Sequence, residues 1–599
     1  MAEESGREAL AGPPGPERGF FQVVAGHAAR EPDAVTCSAV RPVGERFEVQ
    51  GISLERLLER ARGFVRTYRE RGVGASDRVL FSLASPQEVL AGVLGGMGCG
   101  AVTVPLQTAI EFRTPALFRE RLAAVAADCR PTLVVVEQRA AWEQATGGID
   151  LGAPVVGLEE VEASGGREFA FAPPAGSHPA LVQYTSGSTG DPRGVVLTHD
   201  NVTANLTSIG RAVRMSASDR LVFWLPLHHD MGLIGCLLFA CYWKMPAFVL
   251  SPMTFFLRPV SWLRAVQEFG ATLTVAPTFA YAICAGKIPD AQLEGLDLSS
   301  LRLALCGAEP VRAEVVDAFC RRFARHGFRR KSFYPVYGLA EATLAVTFPE
   351  LEVEPETDVI DRQALARDGS AQAVAEDHPW ATRVTSVGRA VPDVSLRIED
   401  PATGEALPER RAGEVVVFGP SVSPRYWGED GPPRQDLHTG DLGYVAGDRL
   451  FIVDRIKDLV IVAGQNYAPS DLEACAARTR GVRAGRVAAF SLPGPEGTER
   501  VHFLAELDRR SWRPQREVAA EIGRRVQEHF GLAVAQVCLV RPGVLPRTTS
   551  GKLKRRACRQ LFLDGACTPL VPLGERLASK LEVLLYLLRR KGAAVQEGR

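Results

Sequence analysis

Net charge is the first thing this 599-residue chain lacks, since Lys+Arg and Asp+Glu both number 70. With neither sign in excess, a nucleic-acid or strongly acidic partner is not expected. Its 12 cysteines are scattered and none falls in a Cys-x-x-Cys pair. That argues against zinc sites and a disulfide framework and points to a reducing, cytoplasmic setting. Long apolar runs are missing too: the most apolar stretch, 89–105, is glycine-rich and shorter than the roughly 20 residues of a membrane span. No transmembrane segment is expected. Residues 1–18 carry Glu3, Glu4, Pro13 and Pro14 without an apolar core, and read as a disordered tail, not a signal peptide. Lysine is scarce, which makes the position of each one informative.

At 599 residues the chain exceeds what one hydrophobic core serves, so at least two domains are expected. Residues 19–109 alternate helical stretches (54–71, 86–95) with β-rich ones (79–82, 101–104), the pattern of βαβ units on a parallel sheet. Residues 131–137 read as a buried strand, and 146–178 as a surface connection. The triplet Gly96-x-Gly98-x-Gly100 reads as tight helix-to-strand packing, because a helix and not a strand precedes it.

The richest stretch is 184–199, Tyr-Thr-Ser-Gly-Ser-Thr-Gly-Asp-Pro-Arg-Gly-Val-Val-Leu-Thr-His. Thr185, Ser186, Ser188 and Thr189 are interleaved with Gly187, Gly190 and Gly194. Glycines let backbone N–H groups close on a ligand. Hydroxyls complete an anion cradle and Arg193 adds a permanent cation, so a polyphosphate is the expected ligand. No Gly-Lys-Ser/Thr follows, which excludes a P-loop, and no Gly-x-Ser-x-Gly nucleophile elbow surrounds Ser188.

Residues 221–235, containing Leu-Pro-Leu-His-His-Asp-Met-Gly-Leu-Ile-Gly, read as a strand entering a turn. His228, His229 and Asp230 are not expected to hold a metal, since neighbours on a strand face opposite ways. Two further strand-to-loop units, 275–281 and 303–310, end where ligands of open α/β sheets bind. In 334–343, Tyr337 can stack on a purine, Gly338 allows close backbone approach, and the Glu341 carboxylate suits Mg²⁺. Residues 350–385 are polar and weakly periodic and read as a long surface insertion. Asp441 sits in a Gly turn. Ala468-Pro-Ser-Asp starts a helix that Ser470 or Asp471 can cap, and two helical and two strand-like stretches follow to about 540.

In order along the chain, these motifs resemble the adenylate-forming superfamily of acyl-CoA synthetases, luciferases and peptide-synthetase adenylation domains. His-Asp-Met-Gly-Leu-Ile-Gly, Tyr-Gly-Leu-Ala-Glu-Ala-Thr and the 350–385 insertion are similar to its fatty acyl-AMP ligase branch. The resemblance covers about 19–567. It implies an α/β fold: a large N-terminal domain of parallel-type sheets over 19–454, carrying the insertion, and a small mobile α+β domain over 455–568. It implies ATP and Mg²⁺ as cofactors. The loop from Thr185 to Arg193 would hold the phosphates, with Thr185 and Glu341 on Mg²⁺. Gly307, Ala308, Glu309 and Pro310 would line the adenine with Tyr337 and Gly338. Asp441 would bind the ribose and Arg455 the ribose or phosphate. His229 would stand beside the carboxylate pocket, Lys457 at the hinge, and Lys552 at the α-phosphate. Of only eight lysines against 62 arginines, two fall on these family positions. The chain departs from the family at Arg193, where lysine is usual, and at Ala340, where threonine often stands.

The expected activity is ATP-dependent adenylation of a fatty acid, followed by transfer to the phosphopantetheine thiol of a separate acyl carrier protein. The protein is expected to be a monomer. An acyl-CoA ligase is the alternative, and a non-catalytic adenylate-binding scaffold a lesser one. Beyond 569, Leu577, Leu581, Leu584, Leu585 and Leu588 lie at helical spacing before Arg589-Arg590-Lys591. This helix is expected to pack on its own protein, with carrier docking or a membrane surface as alternatives.

Overall fold

The computed structural model describes residues 19–565, apart from 112–113, 164–169, 187–191, 463–464, 494–498, 509–510, 512 and 548–552. The expectations for Gly187, Ser188, Thr189, Gly190, Lys552, the first 18 residues and the 569–599 helix therefore lie outside the described residues. The chain divides into two compact units: Met1–Asp358 with Arg383–Ile452, and Val359–Thr382 with Val453–Arg599.

The helices of the first unit follow from spacing and caps. Helix Leu54–Glu70 buries Leu57, Leu58, Ala61, Phe64, Val65 and Tyr68 at three- and four-residue steps, and Ser53 caps it by accepting from the Arg56 N–H. Helix Pro86–Cys99 has Ser85 as its cap and proline in its first turn, and ends at Gly100 in the left-handed region, φ 83°. A Cβ on Gly96 would stand 2.5 Å from Thr103, and one on Gly98 2.4 Å from Phe171. These glycines serve packing, as the sequence implied.

The helices cover two sheets. One runs Val155–Gly157, Leu133–Val136, Arg78–Ser82, Val102–Pro105, Pro179–Ser186, Pro192–Thr198. It is parallel until its last, antiparallel pair. The other runs Phe333–Pro335, Leu303–Gly307, Leu273–Pro277, Leu221–Phe223, Ala247–Leu250, Val35–Val43, Arg46–Ser53. It too is parallel except at its final edge. The predicted βαβ pattern is present, and the 146–178 connection is more than surface loop: it supplies strand Val155–Gly157 and helix Leu158–Ala163. Two valines and Leu158 were too short a signal among the surrounding Gly and Pro.

The second unit centres on strands Val482–Pro493, Glu499–Leu507 and Val534–Val540. Leu472 from helix Pro469–Ala477 and Val518, Ile522 and Val526 from helix Gln515–Phe530 pack on Val501 and Phe503. Among the described residues three strands and one further helix thus lie between Ala477 and Val540, against the two and two expected. The Pro469–Ala477 helix takes Ala468 as its N-cap with no side-chain bond, so neither Ser470 nor Asp471 caps it. Asp454 instead accepts from the Ser470 N–H at 3.1 Å.

The insertion is ordered, not a loop. Strand Thr357–Asp361 and helix Arg362–Asp368 are joined through Asp361, which accepts from the N–H groups of Gln363 and Ala364. The sequence placed this whole segment with the large domain, whereas Val359–Thr382 belongs to the second unit. The Arg362 guanidinium is the reason. It donates to the Ala381 carbonyl at 2.5 Å and the His529 carbonyl at 3.4 Å, and lies 4.8 Å from the Phe530 ring centroid.

Candidate active site

The carboxyl ends of four neighbouring parallel strands set the first half of the site. Strands Leu221–Phe223, Leu273–Pro277, Leu303–Gly307 and Phe333–Pro335 release, respectively, the His228 turn, Thr278, the Gly307–Pro310 loop and the Tyr337 segment. Ala308 takes a positive φ of 68°, a conformation costly for a residue with a Cβ. The Glu309 carboxylate holds that loop to the next by accepting from the Phe279 N–H at 2.5 Å.

The motif around Glu341 is tightly folded. Tyr337 donates its hydroxyl to the Asp441 carboxylate at 2.7 Å, which unites two of the residues expected at adenine and ribose. Gly338 has a different reason to be glycine than the one read from sequence. A Cβ there would stand 1.9 Å from the Leu344 carbonyl oxygen, so it makes room for the protein's own backbone. That turn is closed at Thr343, with φ 68° and ψ −57°. The Leu344 N–H donates to the Ala342 carbonyl at 2.8 Å across it, a strained three-residue turn of the kind that gathers at functional sites.

The second half is the hairpin of Pro179–Ser186 and Pro192–Thr198, in which Thr185 pairs directly with Arg193 and Ser186 with Pro192. The hairpin is fastened to the first half from beneath: Gln183 donates its amide to the His228 carbonyl. His228 and His229 do not alternate on a strand, as expected from sequence, but lie in a turn with ring centroids 4.8 Å apart. His228 is buried 3.6 Å from Glu111. Burial, with Arg121 adding to it, lowers the His228 pKa to about 3, while burial raises that of Glu111. His229 is half-buried beside it.

The segment around 421–427, outside the predicted motifs, ties both halves together. The Ser423 N–H donates to the Glu341 carbonyl at 2.8 Å, and the Trp427 N–H to the Gly194 carbonyl at 2.6 Å. Thr343 donates to the Ser421 carbonyl at 2.6 Å. Between these anchors stands Tyr426, which donates its hydroxyl to the Glu341 carboxylate at 2.8 Å. The Arg193 guanidinium lies 3.6 Å from the Tyr426 ring centroid and that of Arg434 4.3 Å. Both arginines pair with Glu429, at 2.8 and 2.7 Å. Burial first, then the Glu341 charge, push the Tyr426 phenol up to about 12, so it remains a donor at neutral pH. Tyr426, Glu429 and Arg434 are the residues sequence reasoning missed. The Tyr-Trp pair before Gly428-Glu429-Asp430 was the only local signal.

The structure thus brings together Thr185, Arg193, Glu341 and, through Gln183, the His228–His229 turn. It places the Gly307–Pro310 loop beside Val336, the residue before Tyr337, where a Cβ on Gly307 would lie 2.9 Å from the Val336 carbonyl. Arg455 and Lys457 belong to the second unit, where both are exposed. The two side chains expected from the sequence to hold Mg²⁺, Glu341 and Thr185, offer hard oxygens, a carboxylate and a hydroxyl. No group of three or more His, Cys, Asp or Glu side chains able to hold a metal occurs among the described residues. That donor set fits Mg²⁺, an ion commonly held by one or two carboxylates together with substrate phosphates.

Comparison with known proteins gives this geometry its class. The AMP-binding enzyme family matches residues 24–427, and the chain belongs to that family. Among its relatives is a medium-chain-fatty-acid–[acyl-carrier-protein] ligase of Moorena producens, 30% identical over 87% of this chain and 91% of the relative. Another is a long-chain-fatty-acid–AMP ligase of Mycobacterium marinum, 33% identical over 81% of this chain and 87% of the relative. A fatty acyl-adenylate ligase of L. pneumophila, solved with acyl adenylate and pyrophosphate, superposes with a TM-score of 0.69 at 29% identity, covering 92% of this chain and 96% of that one.

Proposed function

We propose that this chain activates a fatty acid with ATP and passes the acyl group to a separate acyl carrier protein. The carboxylate oxygen of the acid attacks the α-phosphorus of ATP, and the bond from that phosphorus to the bridging oxygen breaks, giving acyl-AMP and pyrophosphate. The phosphopantetheine thiol then attacks the acyl carbonyl, loses its proton and expels AMP. The observation that carries this reading is the joining of Arg193 to Glu341 through Tyr426, with Tyr337 bonded to Asp441 nearby. A cation on a hairpin strand, an oxygen donor for a metal and a ring beside a carboxylate are the groups a metal-bound nucleotide calls for. The fatty-acid ligases among the relatives supply the acid.

In this scheme Thr185 and Arg193 hold the β- and γ-phosphates, and Glu341 with Thr185 holds Mg²⁺. When bound, Mg²⁺ neutralises phosphate charge. Tyr337 and the Gly307–Pro310 loop receive adenine, Asp441 the ribose, Arg455 the ribose or a phosphate, and His229 borders the carboxylate. Lys457 serves the hinge. Lys552 neutralises the charge growing on the α-phosphate. Catalysis then rests on positioning and electrostatics, as phosphoryl chemistry asks little covalent work of a protein.

The test is incubation with ATP, Mg²⁺ and a mixture of medium- and long-chain fatty acids, read by mass spectrometry, with CoA and a holo carrier protein added separately. Acyl-AMP with transfer to the carrier and not to CoA is expected. Acyl-CoA forming at a comparable rate would favour the CoA ligase instead. Lys552→Ala is expected to slow adenylation by roughly a hundredfold or more. A change under about threefold would remove Lys552 from the chemistry, since loss of one such charge-stabilising donor typically costs far more.

A further inference from the structure

We propose that Tyr426 is a positioning residue: its hydroxyl fixes the Glu341 carboxylate as a metal ligand, and its ring fixes the Arg193 guanidinium as a phosphate ligand. The inference rests on the metal assignment made above for Glu341. It adds that the two ligand groups are set by one side chain.

Glu341 stands on a single short turn, Ala340–Ala342, and a glutamate there has three rotatable bonds to lose before its carboxylate is placed. The Tyr426 hydroxyl, 2.8 Å away, selects one rotamer by donating to a single carboxylate oxygen, Oε1. Hydrogen bonds of this type orient metal ligands in proteins generally, and their loss weakens the metal without removing it. The Tyr426 backbone is itself held. Its N–H donates to Glu429 at 3.0 Å, and its strand neighbour across the bridge is Val195. Val195 lies two residues past Arg193 on the hairpin strand, so the ring meets the guanidinium of the same strand, 3.6 Å from its centroid. Displacing the phenol therefore disturbs both ligands, whereas displacing either ligand leaves the phenol anchored by its backbone.

Tyr426→Phe separates these roles, because it keeps the ring under Arg193 and deletes only the hydroxyl. The first readout is binding of Mn²⁺, followed by electron paramagnetic resonance, to protein saturated with a non-hydrolysable ATP analogue. We expect Mn²⁺ affinity roughly tenfold weaker in Tyr426→Phe than in the wild type, with the thermal midpoint and the KM for fatty acid little changed. The second readout is the Mg²⁺ concentration giving half-maximal ATP–pyrophosphate exchange, expected to rise by a similar factor. Tyr426→Leu, which also removes the ring, should raise the KM for ATP as well. Mn²⁺ affinity equal to wild type in Tyr426→Phe, while Glu341→Gln weakens it, would overturn the inference and leave the metal assignment standing. Equal affinity in all three proteins would remove the metal assignment and the inference together.

Discussion

Single side chains in this protein carry large electrostatic burdens, and two histidines show it. His199 is 4% exposed with its Nε2 unpartnered, and burial, then His178, lowers its pKa to about 4. His228 is lowered to about 3, by burial and then Arg121. Unfolding returns both to the ordinary value of 6.5. The unfolded chain thus takes up protons that the native chain refuses. Their contribution is intact above pH 6.5 and is lost as pH falls from there through about 4 and toward 3. For each histidine the loss between pH 7 and pH 5 is on the order of 2 kcal/mol. Glu111, raised by burial and 3.6 Å from His228, shifts the opposite way and offsets part of the His228 loss. His199 is the cleaner probe. Urea unfolding at pH 7 and pH 5 should show a marked fall in stability for the wild type and a smaller one for His199→Asn. Equal falls in the two would show that His199 is not the group being titrated.

At the scale of elements, structure was legible in the sequence where periodicity or a motif was local. Helices Leu54–Glu70 and Pro86–Cys99 and the parallel strands beside them follow from spacing, caps and apolar runs. The 350–385 segment was different, because a short helix between two short strands has too few residues to display a period. Its order comes from Arg362, whose guanidinium is held by the Trp380, Ala381 and His529 carbonyls and the Phe530 ring. Arg362→Ala is expected to loosen residues 359–382 by about 1–3 kcal/mol, the range for hydrogen bonds to a charged group plus a cation–π contact. Hydrogen exchange should then quicken across 359–382 while strands Val501 and Phe503 belong to, Glu499–Leu507, stay protected. Unchanged exchange at 359–382 would show that backbone pairing alone holds the segment.

For the molecule as a whole, two compact units are expected to unfold separately. The second is pinned by Arg555, which meets Glu473 at 2.8 Å, Asp454 at 3.4 Å and Asp458 at 3.2 Å with only 19% of its side chain exposed. Removing one partner from a largely buried ionic cluster leaves uncompensated charge. Arg555→Ala should therefore destabilise that unit by roughly 3–5 kcal/mol. Denaturant unfolding followed by hydrogen exchange should show the Val482–Pro493 sheet opening early, with the Leu303–Gly307 sheet at its wild-type midpoint. A common shift of both would mean that the units unfold as one.

The sequence by itself determined the βαβ pattern and the family. Each of these is written in residues close together along the chain, where spacing and residue type act directly. Tertiary structure decided what bridges them. The Tyr426–Glu341 bond spans 85 residues and the Tyr337–Asp441 bond 104, distances over which no local pattern operates. It also decided that Gly338 faces its own backbone, that the His228 and His229 rings are neighbours, and that Val359–Thr382 joins the second unit. Such contacts arise only when separate elements pack and their polar groups must find partners away from water.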